Sequence, residues 1–127
     1  MIRINESIGE AVFEIDNPDA PLYRTMIDDP EYYEEVKGMQ YNIEFMTARE
    51  YIENTARIHR SNYYEELSVI SQEKVQEYAD LMKNGTVFPI PWLDFVDNYQ
   101  EGRHRALAFK KAFGDLEKFP VFVVTAV

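Results

Sequence analysis

Polar and apolar residues alternate from Gln40 to Met46 (QYNIEFM), which predicts a strand with one buried face. Thr47 then opens a capping box with Glu50 three residues on, and AREYIENTARIHR predicts a helix over 48–60. Its buried stripe should be Tyr51, Ile52, Thr55, Ala56 and Ile58/His59. Ser61–Ser68 reads as a polar, tyrosine-containing connector. Ser71 caps a further helix over 72–84, where Val75, Tyr78, Ala79 and Met82 fall at i, i+3, i+4 and i+7 and Asn84-Gly85 forms the stop. The run Phe119–Val127 is strongly β-prone and too apolar to be exposed on both faces, so it belongs inside the sheet.

Other stretches carry weaker patterns. Val87–Ile90 and Trp92–Val96 read as short extended pieces, and Pro89 and Pro91 favour an edge or a bend over a central strand. Trp92 is either a core or pocket-wall residue or a platform on which a base stacks. Met1–Asp16 alternates weakly and predicts a strand or two, followed by a loop at Asn17–Pro21. Asp29-Pro30 opens a short acidic, aromatic helix that runs to Gly38. Its Tyr32, Tyr33, Glu34 and Glu35 form either a protein-contact surface or a solvated face. The whole predicts one α+β domain over 1–127, a small mixed sheet flanked by helices at 48–60, 72–84 and 103–113. Residues 1–40 form an acidic N-terminal extension.

Composition narrows the chemistry. With 127 residues, 46% of them hydrophobic, one real core is expected. There is no cysteine, which excludes disulfides, thiolate nucleophiles and Cys-based zinc sites. The two histidines, His59 and His104, make a His-rich metal site improbable, and His59 reads as a surface or packing residue rather than a catalytic base. No apolar run is long enough for a membrane helix, and the N-terminus lacks a signal-peptide pattern, so a cytoplasmic protein is expected. The net charge is −10, with −9 carried by residues 1–70. Nonspecific DNA binding is therefore disfavoured, and the acidic half suits either a basic protein partner or solubility.

Against this acidity, Tyr99–Phe113 stands out. A short strand, Asp97 to Gln100, turns through Glu101-Gly102 into a helix over 103–113 whose first turn holds Arg103, His104 and Arg105, with Gly114 as its stop. Helix-start N–H groups lack internal partners, the dipole there is positive, and guanidiniums and imidazole add donors for phosphate oxygens. The alternative is a solvated surface pair engaged in salt bridges. Cations oppose the dipole at that end, which favours a functional reason for them.

The order of these pieces resembles the ParB/sulfiredoxin superfamily over about Leu67 to Val124. The matching residues are the helix Glu73–Met82, Asn84-Gly85, Phe88-Pro-Ile-Pro-Trp92, Glu101-Gly-Arg-His-Arg105-Ala-Leu-Ala and the final Phe-Pro-Val-Phe-Val-Val. Gly102-Arg-His-Arg105 is similar to the Gly-Cys-His-Arg loop of sulfiredoxins and the Gly-Glu-Arg-Arg loop of ParB proteins. The resemblance implies nucleotide phosphates, of ATP or CTP with Mg²⁺ possible, at Gly102, Arg103, His104 and Arg105. Lys74 would lie beside them, and the segment Asn84–Pro89, with Asn84 and Gly85 at its start, would border the nucleotide. The chain departs from the pattern in two ways. Arg103 stands where the sulfiredoxin cysteine would be, which excludes that activity, and Glu77 and Leu81 stand where hydroxyl residues would follow Lys74.

Three readings follow. The first is a nucleotide-phosphate-binding protein, as a hydrolase or phosphotransferase if catalytic, with His104 or Glu101 handling the proton. The second is a ParB-like nuclease acting on DNA, for which Asp94, Asp97 and Glu101 are the available metal ligands. The third is a non-enzymatic acidic protein that occupies the basic, nucleic-acid-binding surface of a partner. A bacterial, phage or plasmid origin suits the superfamily.

Overall fold

The computed structural model describes residues 8–14 and 40–126. The expected short helix after Asp29-Pro30, the loop at 17–21 and most of the acidic extension lie outside the described residues. What is described has helices and a small mixed sheet, the α+β arrangement expected.

Ile8–Val12 forms α1 and Phe13–Glu14 forms β1. The strand expected in this stretch is limited to Phe13–Glu14, and the helix before it corrects the rest of the expectation over the described residues. Gly9 and Val12 are the buried positions of α1, an i, i+3 spacing that belongs to a helix. Gln40–Met46 is β2, and Ala48–His59 is α2 with the Thr47–Glu50 capping box closed in both directions. Tyr63–Ser68 is helix α3, not a connector. Asn62 caps it by accepting from the Glu65 N–H at 3.0 Å and donating to the Glu65 side chain at 2.9 Å, a pairing with the logic of a capping box.

Gln72–Lys83 is α4. It ends where Gly85 takes φ 92°, the Thr86 N–H reaches the Leu81 carbonyl and the Gly85 N–H reaches that of Met82. That pair of bonds defines a Schellman stop. Phe88–Pro89 is β3, which pairs parallel with β1, and Trp92–Asp94 is β4. Tyr99–Glu101 is β5, Arg103–Phe113 is α5 and Phe119–Ala126 is β6. Asp97 and Asn98 belong to the turn before β5 rather than to the strand, with Asn98 at φ 57°.

The four-stranded sheet runs β2-β6-β4-β5. β6 is antiparallel to β2 and parallel to β4, and β5 closes a hairpin on β4. β6 is interior because Val121, Phe122, Val123 and Val124 are all buried in succession, so apolar groups cover both faces. The prolines bend the chain between β3 and β4, whereas β4 itself lies inside the sheet.

Successive β6 residues serve different cores. Phe119, Val121 and Val123 join Tyr51, Ile52 and Phe109 in the main core. Phe122 and Val124 join Ile90 and Trp92 in a second cluster. There the indole stacks on Phe122 with centroids 4.3 Å apart and planes 13° apart. Trp92 is fully buried, a core residue and not an open platform. α5 is pinned through Phe109, wedged against Phe13 and Phe119 at centroid distances of 5.8 and 5.2 Å. Burying one such ring contributes about 1.5–3 kcal/mol, which fixes the helix start above it.

Candidate functional site

The start of α5 grows from the end of β5. Glu101 pairs with Trp92 across the hairpin, and Gly102 follows as N-cap at φ 135° with no side-chain cap. Only glycine adopts that backbone without strain. A Cβ there would stand 2.8 Å from Pro91 Cβ and 3.0 Å from Pro91 Cα. The glycine therefore serves the packing of its own chain, whatever else approaches it. Its carbonyl accepts from the Ala106 N–H at 2.9 Å, which closes the first turn. The N–H groups of Arg103, His104 and Arg105 in that turn have no acceptor within the helix.

Arg103 has an intramolecular partner that sequence reasoning missed. Its Nη1 donates to Glu66 Oε1 at 2.8 Å. Glu66 is 4% exposed. Its other oxygen accepts from Ser61 Oγ and lies 3.0 Å from His59 Nδ1. Burial alone pushes the Glu66 carboxyl up. The hydrogen bonds from Ser61 and His59 and the charge beside it outweigh burial and hold it below the ordinary value. Glu66 is thus an acceptor at neutral pH, and His59 Nδ1 carries the proton between them. This knot joins α2, α3 and the start of α5.

His104 faces the start of α4, where its Nε2 accepts from the Ser71 N–H at 3.1 Å. A backbone amide can only donate, so the ring is neutral with its proton on Nδ1. Burial pushes its basicity down, and the charges of Lys74, Arg103 and Arg105 push it further. His104 is therefore poised as a hydrogen-bond donor through Nδ1. Its Nε2 lone pair is already engaged, which removes it from the general-base role expected for this residue.

Arg105 lies inward. Its guanidinium reaches Glu101 loosely, with Nη1 3.5 Å from Oε1 and Nη2 donating to the Glu101 carbonyl at 3.3 Å. Its Nε is buried with no hydrogen-bond partner. Burial pushes the guanidinium down from its ordinary value, yet it stays a cation. Tyr51 stands nearby, its hydroxyl donating to the Trp92 carbonyl at 2.9 Å, and burial pushes that phenol up.

The other expected residues divide into two groups. Lys74, on the exposed side of α4, acts on His104 through its charge and joins the cluster. Asn84 and Gly85 form the far end of α4, about 15 Å along the axis from Lys74, where they close the helix. Asp94 is fully buried, and its Oδ1 accepts from the Val96 and Asp97 N–H groups at 2.8 and 2.9 Å, shaping the β4–β5 turn. Asp97 is exposed on that turn. Among the described residues no group of three or more His, Asp or Glu is placed to hold a metal ion. Among the described residues, no helix is long and apolar enough to cross a membrane.

No protein-family model matches this chain, and no curated protein or solved structure does so either.

Proposed function

We propose that this protein binds a nucleotide through its phosphates at the start of α5. The observation that carries the proposal is a glycine-capped helix start without a side-chain cap, crowded by Arg103, His104 and Arg105 and by Lys74 from α4. The helix dipole alone would favour acidic residues there. In this reading the first-turn N–H groups and the Nδ1–H of His104 donate to phosphate oxygens, and Lys74 adds a mobile cation. Arg105, turned inward with its Nε buried, contributes its positive field rather than a direct contact. Arg103, already held by Glu66, fixes the loop and contributes its field rather than a dedicated phosphate contact.

The order of elements behind the ParB/sulfiredoxin resemblance supports this placement and gives ATP or CTP as the nucleotides to try first. Mg²⁺ would arrive bound to the phosphates, as is common for this ion. The reading is one of binding: the Nε2 of His104 is occupied by the Ser71 N–H, which leaves the half-exposed Glu101 as the proton-handling group if a transfer follows. A DNA nuclease would need a carboxylate cluster, which the described residues do not assemble. The acidic-partner reading rests mainly on residues outside those described.

Calorimetric titration of ATP and CTP, each with Mg²⁺, tests the proposal. Lys74 is exposed, so Lys74→Ala should fold normally and bind about tenfold more weakly. Wild-type protein that binds neither nucleotide below about 1 mM overturns the proposal.

A further inference from the structure

A concavity lies beside α5, between Leu107 and the Gly114 stop on that side and α3 and the start of α4 on the other. Its volume is about 560 Å³, within the range of small-molecule sites. Apolar walls come from Tyr63 and Leu67 of α3, Val75 of α4 and Leu107 of α5. Lys110 and Lys111 also line it. Among the described residues neither lysine makes an ion pair. Asp115 is the acidic residue of the lining, so its two lysines and one carboxylate leave an excess of one positive charge. Such an excess is unusual on a chain of net charge −10.

The Tyr63 wall is held in place. The Arg49 guanidinium sits 4.5 Å from its ring centroid, and the Tyr64 ring meets it edge-on at 5.4 Å. The pocket is therefore formed before any ligand arrives, which lowers the ordering cost of binding. Lysines in a last helical turn also suit the dipole. That accounts for the two charges but not for an open apolar chamber beneath them.

We infer that this chamber binds a small amphipathic carboxylate, an alkyl or aryl acid whose apolar body contacts Leu67, Val75 and Leu107 while its carboxylate meets Lys110 or Lys111. A neutral apolar ligand would leave the ammonium groups unused, and a cation would be repelled by them. The concave shape favours a small molecule over a protein segment, although Tyr64, Val69 and Leu116 are exposed apolar neighbours in sequence. From Arg103 to Lys110 the helix rises about 10 Å, so the lysine end of the chamber is separate from the phosphate loop, while Gln72 and Val75 of its α4 wall flank Lys74.

The test uses the full chain and decanoate as probe. Backbone amide resonances are followed during titration, with decyltrimethylammonium as the cationic control. The expected result is saturable decanoate binding that shifts the amides of Leu67, Val75, Leu107 and Lys110 and leaves those of Gly102 and Arg103 unmoved. Lys110→Gln/Lys111→Gln, exposed or half-buried positions that should not disturb folding, should weaken decanoate about fivefold to tenfold. The inference is overturned by any of three results: no saturation by about 1 mM, shifts centred elsewhere, or equal binding of the cationic control.

Discussion

Glu66→Gln removes the charge at the centre of the knot that holds Arg103 while keeping its shape. The wild-type carboxylate accepts from Ser61 and Arg103 and lies 3.0 Å from His59 Nδ1. Hydrogen bonds to a charged group contribute about 1.5–3 kcal/mol each. Adding three of them overstates the cost. The Arg103 and His59 side chains are 23% and 35% exposed and can turn toward water, and glutamine keeps one carbonyl for Ser61. The expected loss is about 2 kcal/mol, which lowers Tm by about 8 °C in a domain of this size. Thermal unfolding followed by circular dichroism measures it.

The same variant changes the pH profile. The folded carboxyl lies below its ordinary 4.5, so its contribution is present above that value and lost as pH falls through the lower, folded value. Glu66→Gln should flatten that acid limb. In a double-mutant cycle with Arg103→Gln, the double variant should lose about 1 kcal/mol less than the sum of the singles. An unchanged Tm, or strict additivity, refutes the claim that Glu66 and Arg103 hold the loop together.

Three further predictions concern the same region. Gly102→Ala must place a methyl 2.8 Å from Pro91 Cβ at φ 135°, so it should cost about 2–4 kcal/mol in chemical denaturation; a cost under about 0.5 kcal/mol contradicts the packing described. Tyr51→Phe leaves the buried Trp92 carbonyl without its 2.9 Å donor and should cost about 1–2 kcal/mol by the same measurement; no loss would mean that water replaces the hydroxyl. The His104 imidazole should titrate below its ordinary 6.5, so its contribution to stability is intact above 6.5 and declines as pH falls through that value toward the lower folded one. Ring-proton NMR reads the midpoint directly, and a value above 6.5 contradicts the geometry.

Much of this fold could be read along the chain wherever a local signal agreed with the packing. The Thr47–Glu50 box, the Asn84-Gly85 stop and the Gly102 and Gly114 bounds of α5 are set by neighbours in sequence. The apolar density of β6 placed it inside the sheet. α1 and α3 were misread because each is about one to two turns long, where periodicity has too few points to separate helix from strand or loop. At the candidate site the cluster of Arg103, His104, Arg105 and Lys74 was legible because three of its members are adjacent. Glu66 was not, since it meets Arg103 across 37 positions and looks like any acidic residue of a polar segment. Asp94 read as a strand-end ligand, but its bonds to Val96 and Asp97 make it a turn former, a use that depends on the hairpin closing around it.

The start of α5 as a phosphate site is tested most directly by amide NMR of the wild-type protein during titration with ATP and Mg²⁺. The amides of Arg103, His104 and Arg105 should move first and furthest, with saturation that needs about tenfold more nucleotide in Lys74→Ala. Shifts confined to other surfaces, or none at all, would leave the basic turn as an internal brace for Glu66 and contradict the account.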